Sequence, residues 1–209
     1  MPRAGHTATS PEGRPGMRRS LRARIAALHA RLDRAIEVSC LGEPLDLRCL
    51  LAIHHAALGG VVPALECAGA ARLFPGWDGR SRLTALEADM VELCADPPSR
   101  VSIEPSFSSE QEVWGALYAV EGSRLGNQVV RRRIAGPMNG LGQRATRFLA
   151  HCPEDTASWP RLVARLEGLD YRGEDFEAAV RGAEAVFGVY LFAAERHAGP
   201  NRRRSRDAA

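Results

Sequence analysis

The 209-residue sequence is 45% hydrophobic and 25% charged, as expected for one soluble globular domain with tails. Its 28 basic and 25 acidic residues leave a net charge of only +3, which argues against the concentrated basic excess of a nucleic-acid-binding protein. The five cysteines lack the paired spacing of zinc sites or disulfide frameworks, and no secretory signal or membrane-spanning run is recognisable, so we expect a reduced, cytoplasmic protein without a membrane partner.

The first helix is predicted over about residues 20–38, after a leader at 1–17 whose composition predicts disorder. Ser20 is the predicted N-cap, and an apolar stripe follows at helical spacing: Leu21, Ile25, Leu28, Leu32 and Ile36. His29 lies at the edge of this stripe, where a histidine is more often a packed residue than a metal ligand. Arg22, however, lies two turns earlier on the same face, roughly 10 Å away. That geometry suits a ligand with a metal at its centre and an anionic group at its edge.

A second helix is predicted over about residues 45–68, with Pro63 kinking or dividing it. His54 and His55 lie in its middle among apolar residues. Because adjacent helical residues point in different directions, only one of the two can face a site squarely, and hydrogen-bonded boundary residues are an equal alternative. A turn is predicted at 71–80, and the next helix at about 81–95.

The most specific pattern lies in segment 114–134, WGALYAVEGSRLGNQVVRRRI. Its apolar residues recur at helical spacing, and Ser109 with Glu112 forms a capping-box signature before it. Gly122 and Gly126 lie inside this helix on one face, although each interior glycine costs about 1 kcal/mol relative to alanine. The bare backbone indicates either a flat ligand lying against the helix or close packing of another helix, and the pattern leaves both open.

Further helices are predicted at about 141–151, within 156–170 and at about 173–198, before a basic flexible tail at 198–209. The sequence therefore predicts an all-α fold, a compact single-domain helical bundle over residues 18–197. Three site chemistries lack their motifs. There is no Glu-x-x-His pair for a di-iron bundle, no glycine-rich nucleotide loop and no GxSxG elbow.

Three segments resemble the haem oxygenase family, in particular its short bacterial, biliverdin-producing branch. They are LRARIAALHARLD (21–33), ARLFPGW (71–77) and ALYAVEGSRLGNQ (116–128), and the likeness runs from about Leu21 to Arg196. The resemblance implies a bundle of the haem oxygenase type with haem held between the first helix and the glycine-bearing helix. Haem (iron protoporphyrin IX) would be both cofactor and substrate, cleaved with O2 and external electrons to biliverdin, CO and ferrous iron.

The resemblance also implies roles for individual residues. His29 would be the proximal iron ligand, oriented by a partner on its other ring nitrogen. Three side chains would lie near the haem propionates: Arg22, Tyr118 and Arg133. The opposite face of the haem would be covered by a polar strip without a carboxylate: Gly122, Ser123, Gly126 and Asn127. His54 or His55 could order water there.

Two positions depart from the family pattern. Ile25 replaces the usual threonine four residues before the histidine, and Asn127 replaces glycine or alanine. The Asn127 amide could donate to bound oxygen or crowd the site. One alternative is therefore a haem-binding or haem-sensing protein on the same fold, with little turnover because of Asn127. The other is a helical interaction module in which the glycines only pack.

The resemblance finally implies partners. External electrons would come from a donor such as ferredoxin or a flavin reductase, which Arg131 and Arg132 could attract if it is acidic. A phytochrome would be one recipient of the biliverdin, while other members of the family liberate iron. No nucleic acid is expected as a partner.

Overall fold

Eight α-helices make up the described part of the chain, and that part contains no strand. The computed structural model describes residues 16–41, 46–93, 103–134, 145–150 and 158–197, without the side chains of 133 and 134. The helices are α1 (Met17–Cys40), α2 (Leu47–Cys67), α3 (Ala70–Leu73), α4 (Gly79–Glu92), α5 (Glu110–Ile134), α6 (Arg147–Ala150), α7 (Ser158–Glu167) and α8 (Glu174–His197). The predicted all-α class is confirmed.

Several predicted helix boundaries are wrong for local reasons. Helix α1 begins at Met17, because the helical pattern extends one turn before Ser20. Helix α4 begins at Gly79, because the Asp78 carboxylate caps it by accepting from the backbone N–H of Ser81 at 2.9 Å. Helix α2 continues through Pro63 without a break, since its buried face offsets the cost of about 3 kcal/mol that an interior proline imposes.

The predicted capping of α5 is confirmed, with one difference. The backbone N–H of Glu112 donates to the Ser109 hydroxyl at 3.2 Å. The Glu112 carboxylate accepts from the backbone N–H of Ser108 at 2.8 Å rather than from that of Ser109. The tail (198–209) and most of the leader (1–15) lie outside the described residues. Of the predicted helix at 141–151, residues 145–150 are described and contain α6.

Helix α8 is the element on which the other long helices pack, since α1, α2 and α5 all lie against it. Helices α5 and α8 cross at two glycines. A Cβ at Gly115 would overlap the Ala179 carbonyl oxygen, and a Cβ at Gly182 would overlap the carbonyl oxygen of Glu112. Within the described residues, α1 and α5 do not pack extensively on each other. Both pack on α8, and the space between them is called here the α1–α5 slot.

Helix α2 is the one described helix long and apolar enough to cross a membrane by length and composition. In the fold, 72% of its most apolar window is buried against the other helices. Its buried residues include Leu50, Leu51, Ile53, Leu58, Val61 and Leu65. The apolar character of α2 is therefore accounted for by its place in the core.

The glycine crossing gives a stability prediction. Because the α5 and α8 backbones touch at Gly115, Gly115→Ala is expected to lower the free energy of unfolding by about 3 kcal/mol or more. Gly126→Ala is the matched control, since its added Cβ would meet nothing within 4 Å. Better helix propensity should make this variant slightly more stable than the parent, by up to about 1 kcal/mol. Urea titration followed by circular dichroism measures the free energy of unfolding of both variants. Equal effects of the two substitutions would contradict a backbone contact between α5 and α8 at Gly115.

Candidate functional site

The apolar stripe of α1 changes its burial along the helix. Leu21 and Ile25 are buried, with 0% and 3% exposed. Leu28 and Leu32, one and two turns further on, are only partly buried. His29 lies in this less buried part of the helix. The two aliphatic side chains thus leave apolar surface beside the imidazole.

The His29 side chain is anchored on one side and accessible on the other. Its Nδ1 lies 2.8 Å from the Asp33 carboxylate, one turn further along α1. Its ring centroid lies 5.8 Å from that of Phe187 on α8. The side chain is 60% exposed, and Nε2 has no hydrogen-bond partner in the part of the chain that the structure describes. A carboxylate on Nδ1 fixes the tautomer that leaves Nε2 as a metal ligand.

The face of α5 that carries Gly122 and Gly126, called here the glycine strip, is open at its second glycine. Within the described residues, a Cβ at Gly126 would meet nothing within 4 Å. Neighbouring Leu125 and Val129 are 45% and 64% exposed, which is high for large apolar side chains. A Cβ at Gly122 would have only the Trp159 ring nearby, at 3.5 Å. The strip therefore combines bare backbone with exposed apolar surface.

The sequence left open whether the glycines of α5 pack against another helix or bare the backbone for a ligand. In the structure, different glycines of α5 fit these two uses. The glycine that packs against another helix is Gly115, at the α8 crossing. Gly122 and Gly126 make no such backbone contact within the described residues. Packing of another helix against Gly122 and Gly126 thus has no support within the described residues. A surface accessible to a flat ligand is supported instead.

Ser123 and Asn127 do not lie on the strip beside Gly126, contrary to the sequence-based expectation. The Ser123 hydroxyl donates to the Val120 carbonyl at 2.7 Å and accepts from the Arg82 guanidinium at 2.8 Å. Asn127 follows one turn later on the same face and is only 5% exposed. The physical reason is helical phase, since each residue is about 100° further around the helix than its predecessor.

Behind α5, the buried Arg82 organises a polar network. Its guanidinium donates to the Val120 carbonyl at 2.9 Å and lies 5.1 Å from the Phe148 ring centroid. The Ser123 side chain also acts on the Tyr190 phenol and lowers its pKa, against the rise that burial causes. Tyr190 in turn lies 3.2 Å from Nδ1 of His54. The network thus runs from α4 through α5 and α8 to α2.

The two adjacent histidines of α2 are both buried. Burial and, secondarily, the positive charge of Arg82 lower the pKa of His54 to about 3, so its imidazole is neutral. Burial raises the pKa of Tyr190, which keeps its phenol protonated. His55 points elsewhere, with Nε2 3.8 Å from the Glu87 carboxylate. His54 is connected to α5 through Tyr190 and Ser123.

His54 gives a pH prediction. Its pKa of about 3 in the fold lies below the 6.5 of an unperturbed histidine, so the unfolded chain binds the proton first. The contribution of the neutral His54 imidazole to the free energy of unfolding is fully present above about pH 6.5. It is lost as the pH falls towards 3. The free energy of unfolding should fall by up to about 1.4 kcal/mol per pH unit in that window from this group. Urea titrations at pH 6, 5 and 4 should show a shallower slope for His54→Gln, and equal slopes would contradict the assignment.

At one end of the strip, basic residues of α1 lie near Tyr118. Burial raises the pKa of the Tyr118 phenol, and the positive charges of Arg18 and Arg22 act in the opposite direction. The phenol is therefore a protonated donor beside two exposed arginines. The charge of Arg22 thus reaches Tyr118, whereas the Arg133 side chain lies outside the described residues. A carboxylate-bearing ligand edge would find donors and positive charge here.

A buried carboxylate immediately precedes the strip. Glu121 has 0% exposure and forms an ion pair with Arg124 at 2.6 Å. It also accepts from the Trp77 indole N–H and from the Ser158 hydroxyl, each at 3.1 Å. Glu121 thus joins α5 to the turn after α3 and to the first residue of α7.

The sequence analysis missed Arg82 and Glu121 as organising residues. A signal was present for Arg82, because it stands four residues before Leu86 on the apolar face of α4, where a buried charge must find a partner. Asp89 shares that face with 0% exposure and accepts from the backbone N–H of Phe148 at 2.8 Å. The sequence around Glu121 gave no such indication of burial, because its partners Trp77 and Ser158 are far away in the chain.

Comparison with known proteins agrees with this geometry. No family model matches the chain. It is 34% identical over 134 residues to a heme oxygenase of Xanthomonas campestris, covering 64% of this chain and 79% of the relative. It is 32% identical over 120 residues to the heme oxygenase PigA of Pseudomonas aeruginosa, covering 56% and 60%. In structure it resembles the heme oxygenase of Neisseria meningitidis, with a TM-score of 0.68 over 88% of this chain, 92% of that chain and 21% identity.

Proposed function

The chain belongs to the haem oxygenase family, and from that premise we propose that it cleaves haem to biliverdin, CO and ferrous iron, using O2 and external electrons. The observation that carries the proposal is the arrangement of two groups beside the α1–α5 slot. An imidazole with an accessible Nε2 lies on α1, and a strip of open backbone lies on α5.

The residues present fit haem as a ligand. The open space at Gly126 would be filled by a side chain at that position, which is what a flat macrocycle lying against α5 requires. Leu125 and Val129 supply exposed apolar surface that burial under a porphyrin would remove from water. His29 supplies one neutral nitrogen ligand. When bound, haem supplies the iron that activates dioxygen and the ring carbon that is oxidised.

In this proposal the chain's own residues bind and orient the substrate. His29 binds iron through Nε2, and Asp33 holds its tautomer through Nδ1. The propionates are bound by the exposed guanidinium of Arg22, the phenol of Tyr118 and the guanidinium of Arg133. On the opposite face the backbone at Gly122 and Gly126 carries no side chain, and Gly126 leaves open space. Ser123 and Asn127 act from the inner side of α5, where Ser123 belongs to the Arg82 network.

The burial of Asn127 bears on turnover. Its side chain is only 5% exposed and shares the inner face with Ser123, while Gly126 faces open space. The amide is therefore largely covered by protein. A haem-binding protein that turns over little because of Asn127 is accordingly not favoured.

The partners follow from the chemistry. A reductase must supply electrons, and we propose ferredoxin or a flavin reductase as donor, attracted by the exposed Arg131 and Arg132 at the end of α5. We place the reaction in the cytoplasm and propose a phytochrome as one recipient of the biliverdin.

The proposed function is tested by single turnover. Protein reconstituted with one equivalent of hemin is mixed with ascorbate in aerated buffer, and the tetrapyrrole product is identified by chromatography and mass spectrometry. Conversion to biliverdin with loss of the haem absorption supports the function. Haem that stays intact, or that bleaches equally fast with serum albumin as the carrier, contradicts it.

Asp33 offers a separate prediction. Asp33→Asn keeps an acceptor beside Nδ1 but removes its negative charge, which makes Nε2 a weaker donor to iron. Both side chains of the pair are about 60% exposed, so solvent screening limits the loss of hemin affinity to about tenfold or less. Hemin titration followed at the Soret band measures it. Glu66→Gln is the control, since it breaks a similarly short exposed ion pair, with Arg80, at 2.6 Å between α2 and α4 and should leave the affinity unchanged.

A further inference from the structure

One end of the glycine strip is closed by two aromatic rings, Tyr118 of α5 and Trp159 of α7, called here the aromatic wall. Their ring centroids are 5.6 Å apart. The Trp159 ring would lie 3.5 Å from a Cβ at Gly122, whereas a Cβ at Gly126, one turn further on, would meet nothing within 4 Å. The strip is thus closed at its first glycine and open at its second.

The residue that precedes the indole of the wall is bound by a buried acid. Ser158, the first residue of α7, donates its hydroxyl to Glu121 at 3.1 Å. Glu121 is itself fixed, because it is fully buried and bound to Trp77 and Arg124. Ser158 directly precedes Trp159, and Glu121 directly precedes Gly122. The hydrogen bond therefore ties the start of α7 to α5 directly beside the strip.

The wall and the basic residues occur at the same end of the strip. The charges of Arg18 and Arg22 act on Tyr118, whose ring contacts Trp159. A nearly square macrocycle with two carboxylates on one edge could enter an open slot in several in-plane orientations. Charge attracts the carboxylate edge to this end, and an indole excludes orientations in which another peripheral group would occupy its place.

We propose, on the premise of the proposed function, that Trp159 determines the in-plane orientation of haem and hence which meso carbon is cleaved. Glu121 and Ser158 are positioning residues that act through Trp159. Trp159→Ala removes the wall, and Ser158→Ala removes the bond that holds it. Trp159→Phe keeps an aromatic ring there. Trp114→Phe is the matched control, because Trp114 is a buried indole on α5 that faces Phe74 instead of the strip.

The readout is the NMR spectrum of the cyanide-bound ferric complex, in which hyperfine-shifted haem methyl resonances report in-plane orientation without turnover. The parent should show one dominant set of methyl resonances. Trp159→Ala should change the ratio of orientations about tenfold or more, equivalent to about 1.4 kcal/mol, and bring up a second set. Ser158→Ala should shift the ratio in the same direction by less. Trp159→Phe and Trp114→Phe should retain the parent spectrum.

The proposal is overturned if Trp159→Ala and Ser158→Ala both retain the parent's ratio, or if Trp114→Phe changes it equally. Circular dichroism checks folding, and should Trp159→Ala fail to fold, Ser158→Ala decides alone, since it removes a single hydrogen bond. A failure of the proposed function would be seen in a different measurement, the formation of biliverdin. In that case the parent complex itself forms no biliverdin, whatever the orientation ratios of the variants.

Discussion

Replacing His29 by alanine is expected to abolish axial coordination of haem by the protein. The imidazole is the one ligand that α1 offers in the slot, and Asp33 already holds it in the tautomer that frees Nε2. Hemin affinity should fall about 100-fold or more, equivalent to about 2.7 kcal/mol, and ascorbate-driven biliverdin formation should stop. The Soret band of the titrated variant should be that of loosely associated hemin.

Two controls accompany this experiment: the thermal stability of His29→Ala and the restoration of the iron ligand by added imidazole. Because the His29 side chain is 60% exposed, His29→Ala should leave the thermal midpoint within a few degrees of the parent. Added imidazole should restore the ligand and with it the Soret band of the parent complex. A variant that keeps the parent spectrum without imidazole would show that iron is bound elsewhere.

Filling the glycine strip is expected to prevent substrate binding without unfolding the protein. Gly126 faces open space, so Gly126→Leu can place its side chain without meeting a neighbour at Cβ. Leucine also has better helix propensity than glycine. The same side chain would occupy the surface where the macrocycle is proposed to lie. Hemin affinity should fall at least about tenfold, or about 1.4 kcal/mol, and biliverdin formation should be lost.

Gly59→Leu is the matched control for this variant. Gly59 lies in α2, and a Cβ there also meets nothing within 4 Å. Both variants should melt within a few degrees of the parent, but only Gly126→Leu should lose hemin. If Gly126→Leu binds and converts haem as the parent does, the strip is not the binding surface. If it unfolds while Gly59→Leu does not, the strip has a packing role.

The elements of the fold could be predicted because amphipathic helices carry a local signal. The stripe on α1 and the cap at Ser109 each depend on residues within a few positions of one another. The crossing of α5 and α8 could not be predicted in this way. It depends on Gly115 and Gly182 meeting backbone from a helix more than sixty positions away, and periodicity contains no information about such pairs.

The candidate site was predictable in part for the same reason. Two glycines four residues apart must share a face, so the strip was visible in the sequence. Ser123 and Asn127 were grouped with them, although helical phase alone turns those side chains towards a neighbouring face. The buried charges of Arg82 and Glu121 were missed because their partners come from other helices. A charge on an apolar face signals that a partner exists, but not which one.

The central claim is that haem lies in the α1–α5 slot, bound by His29 on one face and covered by the glycine strip on the other. The measurement that tests it most directly is a crystal structure of the protein reconstituted with hemin. The predicted result is a bond between the iron and Nε2 of His29, with the macrocycle against the α5 backbone at Gly126. Haem bound at another surface, or in the slot with His29 turned to solvent, would contradict the claim.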